Sequence, residues 1–203
     1  MNSSYQSEQL QAIRLVCTNL AAIPRDEKNH LIAQIGDYMA FRRRVDDYLT
    51  SAFGAVCSAT CYRSRLSACC SREGIVTFFA DVVINLLHSE EQDIDRLLKA
   101  LQTEHTGFKC VYLGSEGCLW RVKPIVCQMF LCEPAKAKVF GAQPDLKAQW
   151  ADFEQERKLF TWPDRPVLFD RLEAYFISIG CSSPLMYLHQ SPGLLRLKRR
   201  AGL

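Results

Sequence analysis

Eight of the ten cysteines in this chain of 203 residues lie between positions 57 and 132, in two blocks. The first block has the spacing C-x3-C-x7-CC, and the second has C-x7-C-x8-C-x4-C. Thiolates cluster in this way when they converge on a soft cation such as zinc, or on an iron–sulfur cluster. The sequence therefore predicts a metal site, and its predicted ligands are Cys57, Cys61, Cys69, Cys70, Cys110, Cys118, Cys127 and Cys132.

The spacing leaves the identity of the metal open between two alternatives. Eight thiolates suffice for two closed zinc sites of four ligands each, although the C-x2-C pairs of common zinc ribbons are absent from both blocks. An iron–sulfur cluster also takes four cysteines and tolerates irregular spacing, which leaves the other thiols structural or bound to a second metal. Aromatic and apolar residues in the second block could shield either kind of centre: Tyr112, Leu119, Trp120 and Phe130.

Local spacing indicates how some of these thiols are presented. Cys57 and Cys61 are four residues apart, so on a helical turn their sulfurs share one face. Cys69 and Cys70 are adjacent, and adjacent side chains point apart on most backbones. This pair is therefore expected to serve two centres, unless one member is not a ligand. Arg63 and Arg65 lie between Cys61 and Cys69, and cations near thiols favour the thiolate form.

Composition places the chain among ordinary globular proteins. Its hydrophobic content is 48% and its charged content 23%, while a net charge of +3 is too small to indicate a nucleic-acid partner. The N-terminus lacks the features of a secretory signal, and no apolar stretch reaches membrane-spanning length. We expect a cytoplasmic protein whose partners are a metal ion and a protein, with no membrane association. Cytoplasmic thiols stay reduced, which disfavours disulfides.

Apolar periodicity predicts helices on both sides of the cysteines. One helix follows Ser7 and stops at Pro24, and a second runs from about Asp26 to Ser51, with Gly54 ending it. Two further helices follow the cysteines, one carrying residues 146–160 and one carrying residues 168–179 and closed by Gly180. Cys17 and Cys181 belong to these flanks and are predicted to be packed or free thiols.

The segment between the two cysteine blocks, and the second block itself, combine strand and helix signals. Residues 74–79 are β-branched and aromatic and predict a short strand, after which Asp81 can cap a helix through Leu87. A capping-box pattern at residues 89–92 predicts another helix. Residues 110–120 predict a β-hairpin turning at residues 114–117, and Pro124 predicts the start of a helix that carries Cys127.

Three consecutive arginines, Arg42, Arg43 and Arg44, interrupt the apolar stripe of the second helix. Such a run is most often a solvated face. If it instead faces the cysteines, it could hold an anionic ligand or partner.

Residues 57–132 resemble the YkgJ-type cysteine cluster family, bacterial proteins described as carrying a zinc- or iron-chelating domain. The second half of that family typically reads C-x-F-L…G-C-x-I-Y-x-x-R-P-x-x-C-R-x-F-P-C. The resemblance implies that the eight cysteines bind zinc or iron. It is carried in the second block by Cys110, Tyr112, Leu113, Gly117, Cys118, Trp120, Pro124, Cys127, Phe130 and Cys132.

The chain departs from the family at residues beside the cysteines. Lys123 and Gln128 stand where the family usually has arginine, Leu131 stands where it has proline, and the glycine common before the cysteine pair is missing. These changes leave every thiol in place. They bear on any activity that rests on the arginines, such as that of the flagellin lysine-N-methylases, which have a similar cysteine pattern.

The sequence thus predicts a mainly α fold with a small β-hairpin, in which helices pack around a cysteine-ligated metal core. Residues 1–203 are expected to form a single domain, with the core at 57–132 and helical flanks at 7–53 and 145–190. The predicted function is metal handling or partner binding through a zinc or iron–sulfur centre. The alternative is an iron–sulfur-dependent redox or protein-modifying enzyme, for example one acting in lysine N-methylation, and the sequence leaves open whether the protein is an enzyme.

Overall fold

Helices make up most of the computed structural model, which describes residues 4–63, 69–71, 76–162 and 166–186. A two-residue antiparallel pairing supplies the predicted hairpin, so the predicted mainly α class with one small hairpin is confirmed. In chain order the elements are α1 (Ser4–Ala22), α2 (Arg25–Gln34), α3 (Gly36–Cys57), a π-helix (Ser58–Tyr62), α4 (Phe79–His88), α5 (Glu91–Gln102), β1 (Leu113–Gly114), β2 (Gly117–Cys118), α6 (Ile125–Gln128), α7 (Glu133–Ala142), α8 (Pro144–Thr161) and α9 (Leu168–Ser178).

An aromatic cluster occupies the middle of the fold, where α3 meets α8 and α9. The ring of Tyr38 lies 5.3 Å from that of Phe160 and 5.6 Å from that of Phe169. Phe41 stacks on Phe160 at 5.4 Å and also contacts Phe153. Around this cluster, α1 packs against α4 and α5, and α4 packs against α9. The described helices therefore pack on an aromatic and aliphatic core, beside which the cysteines lie, rather than around the cysteines themselves.

The predicted long helix from Asp26 to Ser51 is two helices, because the chain breaks at Ile35. Ile35 is fully buried, and Gly36, a weak helix former, follows it. The predicted end at Gly54 is also wrong, since α3 continues through Gly54 to Cys57. The adjacent Phe53 is buried edge to face against Phe140 at 5.5 Å, and this packing outweighs the low helix propensity of glycine.

The predicted strand at residues 74–79 is not formed in its described part. Gly74 and Ile75 lie outside the described residues, Val76 is non-regular, and Phe79 begins α4. The eight residues from Phe79 to Leu86 are all buried. A helix that is buried on every side carries the same unbroken apolar run as a buried strand, which explains the wrong prediction.

Several other predictions can be compared with the described residues. Gly180 ends α9 with a φ of +85°, as predicted. The capping box predicted at residues 89–92 lies one residue later. Glu90 is the N-cap of α5, and the Asp93 carboxylate accepts a hydrogen bond from the Glu90 backbone N–H. Helix α7 was not predicted. Residues 163–165 and 187–203, which include the end of the predicted flank 145–190, lie outside the described residues. Within the described part of the chain, no helix is both long and apolar enough to cross a membrane.

Asp81 makes the stability of the fold depend on pH. Burial raises the pKa of its carboxyl from 3.8 to about 6, although the backbone N–H groups of Phe78 and Ile125 and the nearby Arg42 lower it. The folded state therefore favours the protonated form. The contribution of this preference to the free energy of unfolding is fully present below pH 4. It is lost as the pH rises through 6, and the total loss is about 3 kcal/mol.

We therefore expect the stability advantage of the wild type over Asp81→Asn to shrink by about 3 kcal/mol between pH 4 and pH 7. Urea unfolding of both proteins at each pH measures this difference, and comparing the two variants cancels the titration of all other groups. An advantage that stays constant across this range would contradict the assignment to Asp81.

Candidate metal centre

The first cysteine pair lies where α3 changes into the π-helix. Cys57 is the last residue of α3, and Cys61 lies within the π-helix at Ser58–Tyr62. The two cysteines are therefore separated by about one helical turn, as predicted from their spacing. A π-helical turn often marks a functional segment, because it widens the helix at one position.

Helix α7 brings the last cysteine of the second block to this pair. Cys132 directly precedes α7, which packs against α3 through the contact between Phe53 and Phe140. The end of α3 and the start of α7 thus present Cys57 and Cys132 on neighbouring elements.

Two of these thiols have pKa values that neighbouring thiols raise. Burial raises the pKa of Cys57, and the neighbouring thiols of Cys61 and Cys132 raise it further. Burial raises the pKa of Cys69 to about 11, and the thiols of Cys132, Cys61, Cys70 and Cys57 contribute to the rise, in that order. We call this set the first thiol group, which consists of Cys57, Cys61, Cys69 and Cys132.

The hairpin and the chain around Cys70 position the second set. The Cys110 N–H donates to the Cys70 carbonyl at 2.9 Å, next to an antiparallel bridge between Ser71 and Lys109. Cys118 lies in β2, paired with Leu113 of β1. The two halves of the cysteine region are thus joined by backbone hydrogen bonds across 39 residues of chain.

Helix α4 holds the remaining part of this second set in place. Asn85 accepts a hydrogen bond from the Val122 N–H at 2.8 Å, and Asp81 accepts one from the Ile125 N–H at 3.1 Å. These two side chains are one helical turn apart, so they fix the segment that leads into α6 and Cys127. The buried polar groups of α4 therefore position the helix that carries Cys127.

The thiols of this set interact with one another. Burial raises the pKa of Cys110 to about 12, and the thiols of Cys118, Cys70 and Cys127 contribute to the rise. Burial likewise raises the pKa of Cys127 to about 11, with contributions from Cys118 and Cys70 among others. We call this set the second thiol group, which consists of Cys70, Cys110, Cys118 and Cys127.

Backbone N–H groups donate to three sulfurs of the second thiol group. The Tyr112 N–H lies 3.4 Å from the Cys110 Sγ, and the Trp120 N–H donates to Cys118. In both cases the donor is two residues beyond the cysteine. The Val76 N–H donates to Cys127. Hydrogen bonds of this kind stabilise negative charge on sulfur and are a means by which proteins support bound thiolates.

Comparison of the chain with protein-family models, curated proteins and solved structures gives no match.

The two thiol groups are gathered but are not arranged as a coordination sphere. Among residues 4–63, 69–71, 76–162 and 166–186, no three His, Cys, Asp or Glu side chains converge closely enough to hold a metal ion as they stand. All eight cysteines are free thiols. Protonated sulfurs have no reason to converge without a cation between them, whereas a bound metal ion ionises its thiol ligands outright.

Side chains around the groups differ from the predicted shield in one respect. Tyr112 and Trp120 are buried and meet edge to face at 5.4 Å, and the Tyr112 hydroxyl donates to Gln9 of α1 at 2.9 Å. Leu119 is partly buried, but Phe130 is 52% exposed. The predicted aromatic cover is therefore present on the side facing α1 and absent at Phe130.

Arg42 is a residue beside the cysteine region whose position the sequence did not resolve. It is buried and donates to the Lys123 carbonyl at 2.6 Å, which connects α3 to the segment between Cys118 and Cys127. Arg44 is exposed and pairs with Glu156. Thus one arginine of the predicted run faces the cysteine region and another is a surface ion pair, and only a knowledge of the helix orientation distinguishes them.

The remaining two cysteines are placed as predicted. Cys17 is partly buried on α1 and packs against the core, and Cys181 is buried just after Gly180. Neither contributes to the interactions that define the two thiol groups.

Proposed function

We propose that this protein binds metal through its eight clustered cysteines, in two centres that each take four thiolates. The observation that carries the proposal concerns two adjacent residues. The Cys70 carbonyl accepts a hydrogen bond from the Cys110 N–H at 2.9 Å, whereas the thiols that raise the pKa of Cys69 most are those of Cys132 and Cys61, ahead of Cys70. Neighbouring side chains point apart on most backbones, so two adjacent cysteines are better placed to serve two ions than one. The sequence predicted this alternative.

The donor chemistry of both groups fits zinc or an iron–sulfur cluster. Thiolates are the ligands that both prefer, and four is the number that either takes. Partial burial raises the cost of free thiolate charge, and a cation bound by four sulfurs removes that cost. When bound, zinc would cross-link the segments that carry its ligands, and an iron–sulfur cluster would add the capacity to carry an electron.

Exposed aromatic side chains beside the cysteines support a partner-binding role. Tyr62 follows Cys61 directly and is 63% exposed, and Phe108, two residues before Cys110, is 91% exposed. Phe130 lies between the two last cysteines. Large exposed apolar side chains concentrated near one site are typical of protein interaction surfaces. We therefore propose a metal-handling or partner-binding module, in line with the resemblance to the YkgJ-type family.

A second candidate is an iron–sulfur redox protein or cluster-dependent modifying enzyme. It is favoured by the environment of the second thiol group, where buried Tyr112 and Trp120 cover one side and backbone N–H groups donate to sulfur. A dry, hydrogen-bonded site protects an oxygen-sensitive cluster and tunes its potential.

Purification without oxygen tests the proposal and separates the two candidates. A colourless protein with about two zinc ions per chain supports two closed zinc sites. A brown protein with a broad absorption band near roughly 400 nm supports thiolate-bound iron. Protein that contains neither metal, and gains neither when refolded with zinc or reconstituted with iron and sulfide, would overturn the proposed function.

A further inference from the structure

A small basic pocket lies beside the second thiol group, between α3 and the segment that leads into α6. Its volume is about 250 Å³. Four of its lining side chains are cationic and one is a carboxylate, Asp46. The cationic ones are Arg42, Arg43, Arg121 and Lys123.

Arg42 is built into the wall of this pocket. It is only 5% exposed, and its guanidinium donates to the Tyr38 hydroxyl at 2.8 Å and to the Lys123 carbonyl. Its Nε is buried and has no hydrogen-bond partner in the described part of the chain. Both groups to which it donates are neutral. The buried Asp81 interacts with it only through space, and no carboxylate is hydrogen-bonded to it in the described part of the chain. A buried, positioned guanidinium is a costly feature that favours an anionic ligand.

The other three cations are not neutralised by ion pairs. Arg43, Arg121 and Lys123 are exposed, and within the described residues none of them forms a salt bridge. The one carboxylate that lines the pocket, Asp46, accepts a hydrogen bond from the Gln128 side-chain amide at 3.4 Å. The pocket therefore has a positive field that its own carboxylate only partly offsets.

We propose that this pocket binds a phosphate group. Arginine side chains match the oxygens of phosphate with paired N–H donors, and lysine adds a point charge. The volume is smaller than that of sites for drug-sized ligands, which fits an inorganic phosphate or the phosphate end of a larger molecule. A doubly charged phosphate also gains more from several cations than a singly charged carboxylate does.

The pocket adjoins the second thiol group but is separate from it. Lys123 lies near enough to Cys118 to lower the pKa of that thiol, in opposition to burial. Gln128 lines the pocket and directly follows Cys127. A bound phosphate would thus lie next to the chain that carries these two cysteines. The inference does not require a metal, and the metal content of the same samples tests the proposed function separately.

Calorimetric titration of the 203-residue chain with inorganic phosphate tests the proposal, with sodium chloride holding the ionic strength constant. We expect saturable binding to one site, and binding of acetate at least tenfold weaker. The variants Arg121→Glu and Lys123→Gln should each weaken phosphate binding, the first by at least about tenfold. Since neither side chain forms a hydrogen bond or salt bridge within the described residues, both variants should fold as the wild type does.

Arg96→Glu is the matched control for Arg121→Glu. Arg96 is an exposed arginine on α5 whose contact with Asp93 is a surface ion pair, and its replacement changes the net charge equally. We expect phosphate affinity within about twofold of the wild type. If Arg96→Glu and Arg121→Glu weaken phosphate binding equally, the effect comes from the change in net charge alone and the proposal is overturned. Titration that does not saturate, or acetate binding as tight as phosphate binding, would also overturn it.

Discussion

Cys118→Ser should remove about half of the bound metal, and Cys61→Ser should remove the other half. Cys118 belongs to the second thiol group and Cys61 to the first, so each variant damages one centre. A serine hydroxyl does not ionise near neutral pH and is a poor ligand for a soft cation. Metal analysis of the purified variants by mass spectrometry measures the loss.

The double variant Cys61→Ser/Cys118→Ser determines whether the centres are independent. Two separate centres predict almost complete loss of metal. A single shared centre predicts that the double variant loses no more than either single variant, which would contradict the division between Cys69 and Cys70. Cys17→Ser is the control, since this thiol packs on α1 against the core. If Cys17→Ser loses metal as Cys118→Ser does, the predicted ligand set is wrong.

Loss of a centre should also lower the free energy of unfolding. Each proposed centre joins elements that are distant in the chain: the first connects the end of α3 to the start of α7, and the second connects Cys70 to the hairpin and α6. Because metal binding and folding are coupled in such sites, we expect a loss on the order of 3 kcal/mol or more for Cys118→Ser. Denaturant unfolding measures it.

The parts of the site that depend on local sequence were predictable. The spacing of Cys57 and Cys61 indicated a helical turn, the glycines between Cys110 and Cys118 indicated a hairpin, and Pro124 indicated the start of α6. Each signal acts through backbone preferences within a few residues. Such preferences survive in the fold wherever no tertiary contact opposes them.

The grouping of the thiols depended on tertiary packing and could not be derived from spacing. Cys132 is closest in sequence to Cys127, yet it lies with Cys57 because α7 packs against α3. The sequence of α7, EPAKAKVFGA, has a weak apolar stripe, so neither the helix nor its partner was predicted. Similarly, nothing local distinguishes buried Arg42 from its two exposed neighbours, and only the rotation of α3 about its axis decides between them.

Arg42→Ala should destabilise the protein by about 3 kcal/mol, the second large effect that we expect. The variant loses hydrogen bonds to the Tyr38 hydroxyl and to the Lys123 carbonyl, and leaves both partners buried or partly buried. It also removes a positive charge that lowers the pKa of buried Asp81. Asp81 then becomes harder to ionise in the folded state, so the added cost should grow as the pH rises.

Arg43→Ala is the matched control, because Arg43 is the next residue of the same helix and is exposed. Its stability should stay within about 0.5 kcal/mol of the wild type. The stability of Arg42→Lys should lie between those of Arg42→Ala and Arg43→Ala. A lysine keeps a positive charge near Asp81, but it lacks the planar guanidinium that donates to both acceptors at once. Urea unfolding at pH 7 ranks the three variants. Equal stability of Arg42→Ala and Arg43→Ala would show that the buried guanidinium does not connect α3 to the cysteine region. A larger loss of stability in Arg42→Lys than in Arg42→Ala would mean that a positive charge is unfavourable at this position.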